Sequence, residues 1–222
     1  MLIVLEGLDG AGKSTQLKAM EVYLKERGQS VHFMHFPRYD TPVYGTLIAR
    51  FLRGDSGAID TVDPYLVSLL FAGNRLEMAG QIKGWLEDGD IVLLDRYVYS
   101  NIAFQCAKFT SREERERLRN FIFQMEYQQF GIPKPDVNLF LDVPLHFVEE
   151  NLGSPRSGDD RTYLEGKDDI HEASVDFQQR VREVYLEQAK FDSSFRIIPC
   201  SDLKGEIAHW TVIFERIKPY LP

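Results

Sequence analysis

The chain has 222 residues, roughly one and a half times a typical domain length, so a single domain with small insertions is expected. Hydrophobic residues make up 44% and charged residues 27%, which excludes a disordered or fibrous chain. Twenty-six basic against thirty-four acidic side chains give a net charge of −8, a poor basis for coating a nucleic-acid backbone through bulk charge, so any bound phosphate must be held locally. Cys106 and Cys200 are the only cysteines, too few for a disulfide framework or a four-cysteine metal site and compatible with a reducing cytoplasm. The apolar start, Met1–Leu5, is too short for a secretory leader, and no apolar run reaches membrane-spanning length. A cytoplasmic protein without nucleic-acid or membrane partners is expected.

Short apolar segments alternate with longer helical patterns along the chain. Leu2–Leu5, Val31–Phe36, Ile91–Leu94, Val137–Leu141 and Phe195–Ile198 read as strands, and their near-continuous hydrophobicity suits a parallel sheet covered on both faces. A first helix should run from the glycine-rich turn to about Arg27, stopped by Gly28. A second should start near Asp63-Pro64 and carry Leu66, Leu69, Leu70, Leu76, Ile82 and Trp85, an apolar load that fits either core packing or a dimer interface. Ser111 with Glu114 predicts a capped helix closed by Gly131 and Pro133, and Ser174 or Asp176 begins another. Between them, 152–170 holds several glycines, Arg156, Arg161 and Lys167 with little apolar material, and reads as a mobile segment over an active site.

The strongest local signal is the segment Gly7-Leu8-Asp9-Gly10-Ala11-Gly12-Lys13-Ser14-Thr15, with G-x-x-x-x-G-K-S spacing between an apolar strand and a helix. The glycines allow a backbone nest whose N–H groups face a phosphate, and the helix start adds its dipole. Lys13 would reach the β- and γ-phosphates and Ser14 would place its hydroxyl on Mg²⁺. Asp95, at the end of Ile91-Val92-Leu93-Leu94-Asp95, would order the same Mg²⁺ or its water. Candidate groups for a second, acceptor site are Asp9, Phe36, Arg38, Phe71, Arg75, Arg96, Asn101, Phe104 and Gln105, several of them just beyond predicted strands. Phe71 and Arg75 are i and i+4, hence on one helical face. An arginine in an apolar stretch such as Arg75 must find an anion, a carbonyl or solvent, while Arg38 and Arg96 suit a bidentate phosphate clamp.

The phosphate loop with Asp9, Phe36-Pro37-Arg38, Phe71-Ala72-Gly73-Asn74-Arg75, Asp95-Arg96-Tyr97 with Ser100-Asn101, and the stretch Pro135 to Asp142 together resemble the thymidylate kinase family over nearly the whole chain. The resemblance implies an α/β P-loop kinase fold: a five-stranded parallel sheet in order 2-3-1-4-5, flanked by helices, with a mobile lid. It implies transfer of the γ-phosphoryl group of ATP to dTMP, with Mg²⁺, by a homodimer. It further implies that Phe71 stacks on thymine, Arg75 and Asn101 read the base edge, and Phe104 crowds a ribose 2′-hydroxyl, with Gln105 beside it. Arg38 and Arg96 would hold the acceptor phosphate, Phe36 would pack in the pocket, and Asp9 would lie near the sugar and the phosphate. The position after Asp9 is Gly10, so the phosphate loop lacks an additional arginine and the transition-state cation is expected from the lid, as Arg156 or Arg161. A deoxynucleoside kinase, which would need a carboxylate base, and a P-loop nucleotide switch are the alternatives at this stage.

Overall fold

A computed structural model describes residues 1–59, 61–153, 163–167, 169–171 and 174–222. Five strands, β1 (Leu2–Gly7), β2 (Val31–His35), β3 (Ile91–Asp95), β4 (Val137–Asp142) and β5 (Phe195–Pro199), form one parallel sheet in order β2-β3-β1-β4-β5. Registers such as Leu5 opposite Asp95 and Gly7 opposite Leu141 bring the carboxyl ends of the three inner strands to one edge. Every residue of β1 and β3 is buried, which is why these segments read as continuous apolar runs rather than alternating ones. The structure extends four of the expected strands by a residue or two at that edge, so Gly7, Asp95 and Asp142 are still sheet residues, whereas β2 ends at His35, one residue short of the expected Phe36.

Eight helices flank the sheet among the described residues: α1 (Lys13–Glu26), α2 (Tyr44–Leu52), α3 (Pro64–Glu87), α4 (Val98–Cys106), α5 (Arg112–Phe123), α6 (Leu145–Gly153), α7 (Val175–Gln188) and α8 (Trp210–Ile217). The expected boundaries are found where a cap or a glycine sets them. Gly28 follows α1 at φ 77°, Asp63 accepts the Tyr65 N–H ahead of α3, and Ser111 and Ser174 accept backbone N–H groups ahead of α5 and α7. Helix α5 runs on into a π-helical turn, Gln124–Gln129, before Gly131 at φ 61°.

The apolar load of α3 is divided. Val67, Ala72, Ala79 and Ile82 are buried, whereas Leu66, Leu69 and Leu76 stand exposed along one face. The expectation that 152–170 offers little for packing is corrected in its described part. Leu164 is buried, and Tyr163 and Ile170 pack against a second apolar cluster of Ile48, Phe51, Leu52 and Val67. This part is tied to the end of α2: the Ile170 N–H donates to Leu52 O at 2.9 Å, Arg53 Nη1 donates to Tyr163 O at 2.8 Å, and Lys167 pairs with Asp55 at 2.6 Å. Arg156 and Arg161 lie outside the described residues.

The loop between β2 and α2 passes close over Gly45, where an added Cβ would lie 2.5 Å from Arg38 O and 2.7 Å from Tyr39 O. Both are backbone atoms, and Asn74 holds this backbone by accepting the Arg38 N–H at 2.7 Å and donating to Arg38 O at 2.9 Å. Gly45→Ala is therefore expected to destabilise the fold by about 1–3 kcal/mol in urea unfolding. Thr46→Ala, exposed on the same turn, should stay within about 0.5 kcal/mol. Equal midpoints for the two variants would show that the loop yields freely.

Candidate active site

Strand β1 delivers Gly7 to the sheet edge, and the chain turns through Leu8–Gly12 before α1 begins at Lys13. Gly12 caps α1 at φ 78° and Gly10 sits at φ 75°, a left-handed backbone that side-chain-bearing residues adopt only at a cost. Asn151, at the end of α6, donates to Gly10 O at 2.8 Å, and its Cβ would be 3.0 Å from any Cβ placed on Gly10. Lys13 Nζ donates to Leu8 O at 3.2 Å, across the loop it would neutralise. Burial, with Arg96 nearby, lowers the Lys13 ammonium pKa against the pull of Asp95 and Asp9.

Strand β3 places Asp95 beside this loop. His35 Nδ1 lies 3.2 Å from Asp95 Oδ2, while Asp95 Oδ1 is buried without a hydrogen-bond partner. Burial raises the Asp95 pKa, but Lys13, His35 and Arg96 together outweigh it, and the carboxyl is held below its ordinary range. The next residue, Arg96, has φ 66°, a left-handed conformation that is uncommon outside glycine and is fixed by its N–H bond to Leu5 O at 3.0 Å. That turn sends the guanidinium back to Asp9, with Nη2 2.6 Å from Oδ1, and over the Phe104 ring at 5.1 Å from its centroid. Burial pushes the Asp9 carboxyl up, yet Arg96 and Lys13 overcome this and bring its pKa down to about 2. Glu6 lies behind the pair, fully buried. It accepts from Tyr97 N at 3.0 Å, Ser100 N at 3.2 Å, Ser100 Oγ at 2.5 Å and the Tyr185 hydroxyl at 3.0 Å.

One cleft of about 450 Å³ runs from this loop into the space between α3 and α4. Asp9, Gly10, Ala11, Gly12, Lys13, Ser14 and Asp95 line its near end, and Phe36, Phe71, Arg75, Arg96, Asn101, Phe104 and Gln105 line the remainder. Gly7 and Thr15 do not reach the wall. Arg75 is 2% exposed and forks onto Glu126 with Nε 2.5 Å and Nη2 2.6 Å from its carboxylate oxygens. The anion that an arginine in this apolar stretch must find is thus Glu126, which sequence reasoning did not single out.

Arg38 stands apart. Its guanidinium forks onto Asp40 and lines a neighbouring shallow depression rather than the cleft. Tyr39 and Tyr163, stacked at 3.8 Å with 10° between their planes, border both spaces. Four further groups on the cleft wall were also not anticipated: Asn151, Tyr163, Asp169 and His171. His171 sits among the rings of Phe51, Phe104, Phe177 and Phe71, and its Nε2 is buried without a hydrogen-bond partner. Burial, reinforced by Lys108, pushes its pKa down to about 3. The short run Asp169-Ile170-His171 carries no spacing that marks it, because its position depends on the anchoring of the segment to α2.

A family model described as thymidylate kinase matches residues 5–209. The chain is 37% identical over 203 residues to the probable thymidylate kinase of Thermococcus kodakarensis, covering 89% of this chain and 88% of that protein. It is 32% identical over 190 residues to the thymidylate kinase of Mycobacterium tuberculosis, covering 85% and 86%. Among solved structures, the thymidylate kinase of Candida albicans superposes with a TM-score of 0.68 at 29% identity, over 99% of this chain and 88% of that one. The chain belongs to the thymidylate kinase family, the enzymes that phosphorylate dTMP to dTDP with ATP.

Proposed function

We propose that the cleft holds the two substrates end to end, with the ATP phosphates on the loop 7–15 and dTMP between α3 and α4. The observation that carries this reading is that a single cavity joins the phosphate loop, the Asp9–Arg96 pair and the Phe71–Arg75–Asn101 wall. Lys13 neutralises the β- and γ-phosphates, Arg96 holds the acceptor phosphate, and Asp9 keeps Arg96 in place from the sugar side. Phe71 stacks on the base, Arg75 and Asn101 read its edge, and Phe36, Phe104 and Gln105 shape the pocket. Arg38 joins the acceptor phosphate by leaving Asp40, since a solvent-exposed ion pair is worth only about 0–1 kcal/mol. Segment 152–170 acts as the lid and supplies Arg156 or Arg161 against the charge on the transferring phosphoryl group. Aligning two polyanions is most of the task in phosphoryl transfer, so no covalent enzyme intermediate is needed.

The residues at the strand ends fit Mg²⁺. Asp95 offers a buried, unpartnered carboxylate oxygen and Ser14 a hydroxyl at the start of α1, hard oxygen donors of the kind this ion takes alongside phosphates and water. When bound, the ion neutralises phosphate charge.

The expected kinetic result is ADP release from ATP·Mg²⁺ strongly stimulated by dTMP and weakly by dCMP, dGMP, AMP or thymidine. Lys13→Ala should lower kcat at least about 100-fold, as loss of a preorganised charge donor does. Phe71→Ala should weaken dTMP binding by about 1–3 kcal/mol, the worth of a base–aromatic stack. One of Arg156→Ala and Arg161→Ala should reduce kcat roughly a thousandfold. Full stimulation by thymidine, or an unchanged dTMP Kd in Phe71→Ala, would remove the acceptor assignment.

The protein is proposed to act as a cytoplasmic homodimer. Among the described residues no helix is long and apolar enough to cross a membrane, and both cysteines are free and buried. Leu66, Leu69 and Leu76 on α3, and Val43 and Leu47 at the start of α2, leave exposed apolar side chains for a second copy to cover. Light scattering should give twice the 25.7 kDa chain mass, and Leu66→Glu with Leu69→Glu should give the single-chain mass. A monomeric parent would end the dimer proposal.

Asp9 and His171 predict an acid-sensitive site. Both folded-state pKa values, about 2 and about 3, lie below the ordinary values of 3.8 and 6.5, so the unfolded chain binds more protons throughout those intervals. Stability contributed by neutral His171 is complete above pH 6.5 and declines towards pH 3, and that from Asp9 declines between 3.8 and 2. The urea midpoint should therefore fall on acidification from pH 6.5 to 4, with a shallower fall in His171→Gln. An NMR titration that finds His171 protonating near pH 6.5 in the folded protein would contradict this.

A further inference from the structure

Behind the base end of the cleft lies a charged group that the phosphoryl-transfer machinery does not use. Glu126 is 0% exposed, in the π-helical turn Gln124–Gln129 that continues α5. A buried carboxylate is costly unless donors surround it, and here it receives three N–H groups: Arg75 Nε at 2.5 Å, Arg75 Nη2 at 2.6 Å and Asn101 Nδ2 at 3.0 Å. Asn101 Nδ2 also donates to Ser68 O at 3.0 Å.

Both partners of the Asn101 amide nitrogen are acceptors only, which fixes the orientation of the amide. Turned over, Asn101 would set its carbonyl oxygen against a carboxylate and a backbone carbonyl. With Nδ2 held, Oδ1 is left as a buried acceptor without a partner, on a residue that lines the cleft. One helical turn on, Gln105 also lines the cleft and its Oε1 is buried without a partner. Arg75, its Nε–H and one Nη2–H committed to Glu126, keeps three N–H donors. The wall therefore offers an acceptor from Asn101 and donors from Arg75.

We infer that Glu126 is a positioning residue for base selection: by fixing Asn101 as an acceptor and Arg75 as a donor, it makes the pocket complementary to a pyrimidine edge carrying a ring N–H beside a carbonyl. Thymine and uracil present that edge. Cytosine presents a ring lone pair to Asn101 Oδ1 and an amino group to Arg75, so acceptor meets acceptor and donor meets donor. A site built of buried polar groups rejects such a mismatch more strongly than it rejects a missing methyl group. The inference rests on the placement of the base against Phe71, Arg75 and Asn101 proposed above.

The test is the ratio of kcat/KM for dTMP to that for dCMP, measured with ATP·Mg²⁺ on the purified full chain. The parent should favour dTMP by at least about a thousandfold. In Glu126→Gln one amide cannot accept all three donors, Asn101 is released to turn over, and the ratio should fall at least about 100-fold. That fall should lie mainly in the KM for dTMP. Glu126→Asp, which still only accepts, should keep the ratio within about tenfold of the parent. A purely structural role would lower the thermal midpoint of both variants without moving the ratio. If Glu126→Gln does not fold, Asn101→Ala, which leaves the Arg75–Glu126 pair intact, should show the same fall. An unchanged ratio in folded Glu126→Gln or in Asn101→Ala, or a parent that uses dCMP as well as dTMP, overturns the inference. An unchanged dTMP affinity in Phe71→Ala would instead overturn the placement of the base.

Discussion

The site depends on one buried carboxylate at the end of the central strand. Glu6 gathers the Tyr97 and Ser100 N–H groups, the Ser100 hydroxyl and the Tyr185 hydroxyl, and so joins β1, the first turn of α4 and the last turn of α7. Two of those donors are the free N–H groups at the start of α4, where a negative charge is favoured. Burial lifts the Glu6 pKa, and its hydrogen bonds together with Arg96 act against that rise. Because α4 starts where Glu6 fixes it, Asn101, Phe104 and Gln105 are placed by the same anchor. Arg96, one residue before the anchored Tyr97, is held in the left-handed turn that aims it at Asp9. The strain at Arg96 is tolerated because bonds on both sides determine its backbone.

The parts of this design that were legible in the sequence are those governed by local chemistry. The five strands announce themselves by near-continuous apolar runs, fullest in β1 and β3, and α3, α5 and α7 by Asp63, Ser111 and Ser174. Gly10 and Gly12 mark a turn that needs positive φ, and the motif places Lys13 and Ser14 without further help. Helix α4 escaped because all nine of its residues except Ser100 are buried, which erases the amphipathic period that a surface helix shows. Helices α2 and α8 are short, and α6 runs into the segment read as a lid. Arg75 could be recognised as needing an anion, but its partner lies 51 residues away in a turn of altered helical register, which no pattern in the chain predicts. Arg38 is the converse case: the residue was legible and its placement was not, because Asp40 two residues on satisfies it locally.

The two ends of the cleft are electrostatically different, and the difference matches a nucleotide acceptor. At the base end Arg75 and Glu126 cancel each other inside the protein, leaving directional hydrogen-bonding groups with no net charge, as suits an uncharged ring. At the phosphate end Lys13 and Arg96 face Asp9 and Asp95, and both carboxyls are held below their ordinary pKa range. Two cations there are offset by two anions before any phosphate arrives. Protein of net charge −8 supplies no general attraction to make up the difference. On the proposal above, a triphosphate and a monophosphate held there would draw further positive charge from Mg²⁺, Arg38 and the lid arginines.

Of these, the arginines would have to be movable. A fixed, buried arginine without a partner would destabilise the empty protein, since an uncompensated interior charge costs several kcal/mol. Arg38 avoids this by resting on Asp40 at the surface, in a depression that shares Tyr39 and Tyr163 with the cleft. Tyr163 in turn belongs to the segment strapped to α2 through Arg53. Arg156 and Arg161, the arginines proposed for the lid, stand seven and two positions before Tyr163 in the sequence. On the proposal above, Arg38 would lend its charge to the phosphates when they are bound and return to Asp40 when they are not, so the empty fold need not carry an unpaired interior cation.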